Sequence, residues 1–94
     1  MSRKIINKIR NAVRNGNYDL TYHAVKEMAE DNLGIADIEN AALHGVIARK
    51  EFDNSRGIKY IIEGLAGDQM TPVGIAGRFK ETGIFLIITV YEIT

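Results

Sequence analysis

The side chains able to do chemistry in this sequence are its two histidines, His23 and His44, its tyrosines and its cations. The histidines stand far apart without acidic partners at metal-ligand spacing, and the chain has no cysteine. Zinc sites, disulfides and a cysteine nucleophile therefore fall away. Serine occurs only as Ser2 and Ser55, poor candidates for a Ser-His-Asp triad, and there is no phosphate loop, dinucleotide fingerprint or convincing pair of carboxylates. What remains is metal-free chemistry by Arg, Lys, His and Tyr. That set suits cleavage of RNA by its own 2′-hydroxyl, which needs a base, a cation facing the charged phosphorane and an acid for the leaving oxygen. His23 fits the base, because it falls in the first turn of a helix opened by Thr21, where a neutral imidazole can accept a proton. A packed, hydrogen-bonded histidine is the more frequent outcome for such a residue. His44 reads as a helix C-terminal residue facing the dipole.

The elements that must position these groups follow from the spacing of apolar residues. Ile5, Ile6, Ile9, Ala12 and Val13 recur at helical intervals between a candidate N-cap, Ser2, and a natural C-terminal stop, Gly16, which predicts a helix over 3–15. The alternation from Tyr18 to Tyr22 predicts a short edge strand. Thr21 caps a second helix from Tyr22 to about Asn32, with Ala24, Val25, Met28 and Ala29 inward and Gly34 as its stop. Asp37 favours the first turn of a third helix, whose apolar positions are Ile38, Ala41, Ala42 and Leu43 and whose end is Gly45. Beyond Gly45 the period becomes strand-like, in runs from Val46 to Phe52, Gly57 to Ala66, Pro72 to Phe79 and Gly83 to Ile93. The expected class is α+β: N-terminal helices packed on one face of a four-stranded, or with the edge strand five-stranded, antiparallel sheet.

Turn lengths set a register with Phe52 opposite Ile58, Ala66 opposite Pro72 and Phe79 opposite Ile84. One face then carries Ile47, Ile61, Leu65, Val73, Ile75, Phe79, Ile84, Leu86, Ile88 and Val90, and the helices are expected to cover it. Glu51 and Lys59 oppose each other there as an edge ion pair worth at most about 1 kcal/mol. The other face holds a row of Lys50, Tyr60, Arg78 and Phe85, alternating cations with rings, which suits single-stranded RNA: rings stack bases while Lys and Arg hold phosphates. Cross-strand cation–π packing that only stabilises the sheet explains the same row equally well. A second row holds Gly64, Gly74 and Thr89, with Tyr91 one step beyond, about 20 Å from Arg78. Arg78 and Tyr91 are therefore expected to have different tasks.

The whole chain has 94 residues, 46% hydrophobic and 26% charged, with no net charge. This bounds it to one globular domain, too short to divide into two useful cores. Charge is segregated. Arg3, Lys4, Lys8, Arg10 and Arg14 meet no acid, whereas Asp19, Glu27, Glu30, Asp31, Asp37 and Glu39 face only Lys26. A zero balance argues against strong non-specific nucleic-acid binding, so any nucleic acid is held locally. The longest apolar run, Ile84 to Val90, is far too short to span a bilayer, and the N-terminus lacks a secretory pattern, so no membrane contact and a cytoplasmic location are expected.

Thr21-Tyr22-His23-Ala24 with Met28, then Gly34-Ile35 and Asp37-Ile38, resembles the T-x-H-A…M…R-G-I…D-I pattern of a family of small bacterial proteins of unknown function. Ile88-Thr89-Val90-Tyr91 resembles that family's closing strand, so the likeness covers about Tyr18 to Tyr91. That family in turn resembles the RelE/ParE superfamily of toxin-antitoxin toxins, near the BrnT and MqsR types. The resemblance implies a RelE-like domain over 1–94, with 1–16 as an extra basic helix. It also implies a metal-independent endoribonuclease acting on mRNA, free or on the ribosome, without cofactor and silenced by a tightly bound antitoxin. It carries catalysis to His23 and Tyr91, beside which Lys50, Tyr60 and Arg78 are the expected RNA-holding residues. Two positions depart from the pattern: Leu33 stands where the family often has arginine, and Gly74 where it often has histidine. The alternative expectations are a non-catalytic binding module that holds a protein partner, and a toxin directed at gyrase.

Overall fold

The apolar stripe at helical spacing forms helix α1 (Ser2–Arg14), and in the computed structural model, which describes residues 2–53 and 55–94, Ile6, Ile9, Ala12 and Val13 are its buried positions. The capping role expected of the Ser2 side chain lies outside what is described. Gly16 ends the helix with φ +74°, and two bonds close its last turn, from the Gly16 N–H to the Val13 carbonyl and from the Asn17 N–H to the Ala12 carbonyl. The chain continues through β1 (Tyr18–Leu20), α2 (Tyr22–Glu30), α3 (Ile35–His44), β2 (Val46–Asp53), β3 (Gly57–Leu65), β4 (Pro72–Phe79) and β5 (Phe85–Glu92). Helix α2 stops earlier than expected. Asn32, at φ +59°, supplies the left-handed residue after it, while Gly34 becomes the N-cap of α3 and takes a bond from its own amide to Asp37.

The five strands lie in the order β1-β5-β4-β3-β2. β2 to β5 form the expected antiparallel meander, but β1 joins β5 in parallel, pairing Tyr18 with Phe85 and Leu20 with Ile87, so the sheet is mixed. All three helices pack on one face. Their apolar sides meet Tyr60, Ile62, Val73, Ile75, Phe85, Ile87 and Val90 in a single buried cluster. Tyr18 ties β1 to α3 by donating its hydroxyl to Glu39 at 2.6 Å, and burial, then that bond, pushes its pKa up to about 12.

Three local features decide which side chains face the helices. The β3–β4 turn pairs Leu65, not Ala66, with Pro72, because Ala66 turns inward and its N–H bonds the Thr71 carbonyl. Asp68 holds that turn, accepting from the Thr71 hydroxyl and from the amides of Thr71 and Met70, bonds that keep its carboxyl below the usual range. In the β4–β5 turn the Lys80 amide bonds the Ile84 carbonyl, which puts Phe85 opposite Phe79. Bulges shift the register between Ile47 and Arg49 and between the partners of Ala76 and Gly77, leaving Ala48 and Ile88 as the extra residues.

A one-residue shift sends every later side chain to the opposite face. Tyr60, Ile62 and Gly64 therefore face the helices, and Ile61 and Leu65 do not, the reverse of the expectation for β3. In β5 the turn moves Phe85 and Ile87 inward and Leu86 outward, after which the Ile88 bulge restores the expected sides of Thr89, Val90 and Tyr91. Lys50 goes with Tyr60, its cross-strand partner, while Arg49 and Glu51 go with Ile61 and Lys59.

Candidate functional site on the uncovered sheet face

Helix α2 brings His23 to the edge of β5. Thr21 caps the helix by accepting from the Ala24 amide at 3.1 Å, and its hydroxyl also donates to the Ile88 carbonyl at 3.0 Å. Ala24 is fully buried and Met28 nearly so. The threonine, alanine and methionine of the first motif are thus scaffold. His23, exposed over 65% of its side chain, is free to meet a ligand, and so is the adjoining Tyr22, which is 85% exposed.

β1 ends at Leu20, so the outer edge of β5 beyond Ile88 has no strand beside it. Helix α2 replaces one with side chains. Glu27 accepts from the Val90 amide and Asp31 from the Glu92 amide, each at 3.0 Å. The match is geometric: four helical residues rise about 6 Å, close to the 6.6 Å of two strand residues. The other Glu27 oxygen lies 3.3 Å from His23 Nε2, so a carboxylate anchored on the sheet backbone stands beside an imidazole whose side chain is largely exposed. Glu27→Ala is expected to cost about 1–3 kcal/mol by orphaning the Val90 N–H, with Glu27→Gln milder. Amide exchange at Val90, read against the rest of β5, measures it, and unchanged protection would disprove the bond.

On the face the helices leave open, Tyr91 pairs across the strands with Gly74, and its ring lies over that glycine so closely that a Cβ there would overlap it. Gly74 is therefore a seat for the Tyr91 ring, and a histidine at this position would collide with it. Arg49 bonds Glu51 at 3.0 Å and Lys59 reaches the same carboxylate at 3.4 Å, which together hold the Glu51 carboxyl below its usual range. Glu51 in turn raises the Arg49 guanidinium, with smaller contributions from Tyr91 and Glu63. Arg78 pairs with Leu86 on this face, and its Nη1 is buried without a hydrogen-bond partner among the described residues. Lys59 shares this face, opposite Glu51.

Of the expected site residues, Tyr91 and Arg78 stand on the open face, and His23 stands beside it on α2. The row of Lys50, Tyr60, Arg78 and Phe85 is not formed. Tyr60 is 8% exposed and Phe85 fully buried beneath the helices, while Lys50 is exposed on their side of edge strand β2. Among the described residues no hydrogen bond joins His23 to Tyr91. Sequence reasoning missed Glu27 and Arg49. The four-residue spacing from His23 signalled the first, but the Ala48 bulge hid the side of the second. No group of three histidine or acidic residues among the described ones is placed to hold a metal ion.

The second stretch of the motif is scaffold as well. Asp37 bonds the amides of Gly34 and Gly67, and Asn40 donates to the carbonyls of Leu65 and Ala66, so α3 is fixed to the end of β3. These anchors fall within residues 20–92, which match the model of a domain family of unknown function, DUF4258. The chain belongs to that family. No curated protein and no solved structure matches it. The Thr21 cap, the Asp37 anchor and the closing strand to Tyr91 all lie within the matched span of this DUF4258 chain, and no described helix is long and apolar enough to cross a membrane.

Proposed function

We propose that this DUF4258 protein binds single-stranded RNA on the uncovered sheet face and cleaves it without metal, as a toxin restrained by an antitoxin. The observation that supports this reading is the grouping of Arg49, Lys59 and Arg78 on the face where Tyr91 lies over Gly74, beside the His23–Glu27 pair. The cations hold the strand by its phosphates. In the cleavage step the 2′-oxygen attacks phosphorus, forming the 2′,3′-cyclic phosphate as the bond to the 5′-oxygen breaks. The 2′-hydroxyl proton passes to His23 Nδ1, and the Tyr91 hydroxyl protonates the departing oxygen. Arginine neutralises the charge that builds on the phosphorane. Tyr60 takes no part, being core.

Induction of the protein in bacteria is expected to arrest growth, and Tyr91→Phe is expected to relieve the arrest by removing the acid while keeping the ring on Gly74. Purified protein should cut mRNA in EDTA, with or without ribosomes, about 100-fold faster than the Tyr91→Phe variant. A second reading is favoured by the separation of His23, on the β5 edge, from Tyr91, above the face: the fold then binds a partner without catalysis. Harmless induction together with intact mRNA would establish that reading and remove the nuclease. Trapped DNA cleavage complexes would instead point to a gyrase target.

A further inference from the structure

We propose that the hollow at the turn end of the sheet is a phosphate site that takes the phosphate group of a nucleotide. The hollow has a volume of about 230 Å³ and is lined by Ser55 and Arg56 from the β2–β3 turn, Arg78 and Phe79 from the end of β4, and Lys80 and Glu81 from the next turn. Three cations thus face one carboxylate. Lys80 is partly engaged, 3.4 Å from Asp19, whereas Arg56 and Arg78 make no ion pair among the described residues.

Arg78 Nη1 is shut off from solvent without an acceptor among the described residues, a costly state for a charged donor, and the same arginine lines the hollow. Guanidinium favours planar, two-point contact with phosphate or carboxylate. A carboxylate has only two oxygens to share among both arginines and Lys80. A phosphate offers oxygens to both, with a further one for Lys80 or the Ser55 hydroxyl. The volume is below the roughly 300–1,000 Å³ of pockets that enclose a whole small molecule, so the hollow suits the charged group while sugar and base stay outside. Phe79 also lines the hollow, and its ring is held in place by the Lys8 ammonium, 4.3 Å from its centroid, and by Phe85 at 5.1 Å.

This inference deepens the RNA reading by naming what Arg78 holds, and it does not require cleavage. The phosphate can belong to a free mononucleotide or to an RNA strand, and the experiment separates the two. The full chain, labelled with nitrogen-15, is titrated with inorganic phosphate, with uridine monophosphate and with a short oligouridine while its amide spectrum is followed. Uridine monophosphate is expected to move the amides of residues 55–57 and 78–81, and Arg78→Gln and Arg56→Gln are each expected to weaken it about tenfold. Because Arg78 Nη1 has no partner to lose among the described residues, Arg78→Gln should not lower the thermal midpoint, and exposed Arg56 gives a second variant independent of folding. Oligouridine moving the same amides at lower concentration assigns the phosphate to a strand, and equal or weaker binding than the mononucleotide assigns it to a free nucleotide. Silence at these amides with all three ligands, or binding untouched by both variants, overturns the site. Oligouridine that shifts Arg49 and Tyr91 but not the hollow overturns it too, and leaves the RNA reading standing. Nucleotide bound in the hollow by a protein that cuts no RNA leaves the site standing and removes the nuclease.

Discussion

Gly64→Val is expected to destabilise the protein by about 3 kcal/mol, the upper range for forcing atoms into a packed core. A Cβ on Gly64 would lie 2.5 Å from the Ala41 carbonyl oxygen and 3.0 Å from its Cα, so the obstacle is the backbone of α3 rather than a side chain able to swing aside. The helix cannot retreat cheaply. Its start is tied to Gly67 through Asp37, its middle to Leu65 and Ala66 through Asn40, and at its end the Arg10 guanidinium bonds the Gly45 carbonyl. Gly45 is pressed the same way, against the carbonyl oxygens of Ala41 and Glu63. Gly64→Ala should fall between parent and valine variant in urea unfolding. A valine variant within about 0.5 kcal/mol of the parent, the usual span of surface changes, would show that α3 does not sit on β3 as described.

The helices were legible because their apolar positions leave one reading. Ile5, Ile6, Ile9, Ala12 and Val13 define one stripe, and all but Ile5 are buried. β4 was legible for a similar reason, since Val73 and Ile75 alternate with Gly74 and Ala76 and place Arg78 on the opposite side to Phe79. β3 and β5 offer no such contrast. Ile58, Tyr60, Ile61 and Ile62 are apolar at both parities, and so is the run from Phe85 to Ile88, so only turn length fixed their faces. Turn length alone does not reveal that Ala66 folds inward or that Lys80 and Ile84 close the last hairpin. The bulges at Ala48 and Ile88 carry no side-chain signature, yet one of them keeps Tyr91 on the open face and the other brings Arg49 to it. His23 could be placed from the Thr21 cap. Its coupling to the sheet could not, because that depends on β1 ending at Leu20 and exposing the Val90 amide to Glu27.

Tyr60→Ala is expected to cost about 3 kcal/mol, as for other large aromatic truncations in a core, and to leave the RNA affinity of the folded molecules unchanged. Tyr60 pairs with Gly77, across which the Phe85 ring lies, and belongs to the same cluster as Ile9, Ala42 and Ile62. Removing its ring opens a cavity beneath α1 and α3 rather than a gap on the uncovered face. Tyr60→Phe keeps the ring and should stay within about 1 kcal/mol of the parent, the scale of one hydroxyl. Arg78→Gln should show the opposite pattern, with undiminished stability and weakened RNA binding, because its Nη1 has no internal partner among the described residues and its side chain lies on the other side of the sheet. Chemical unfolding and RNA titration of the three variants side by side therefore test the face assignment through two independent quantities. If Tyr60→Ala lost RNA affinity while keeping full stability, the ring would have to stand in solvent, the β3 register would be shifted by one residue, and the cationic face would be the wrong one.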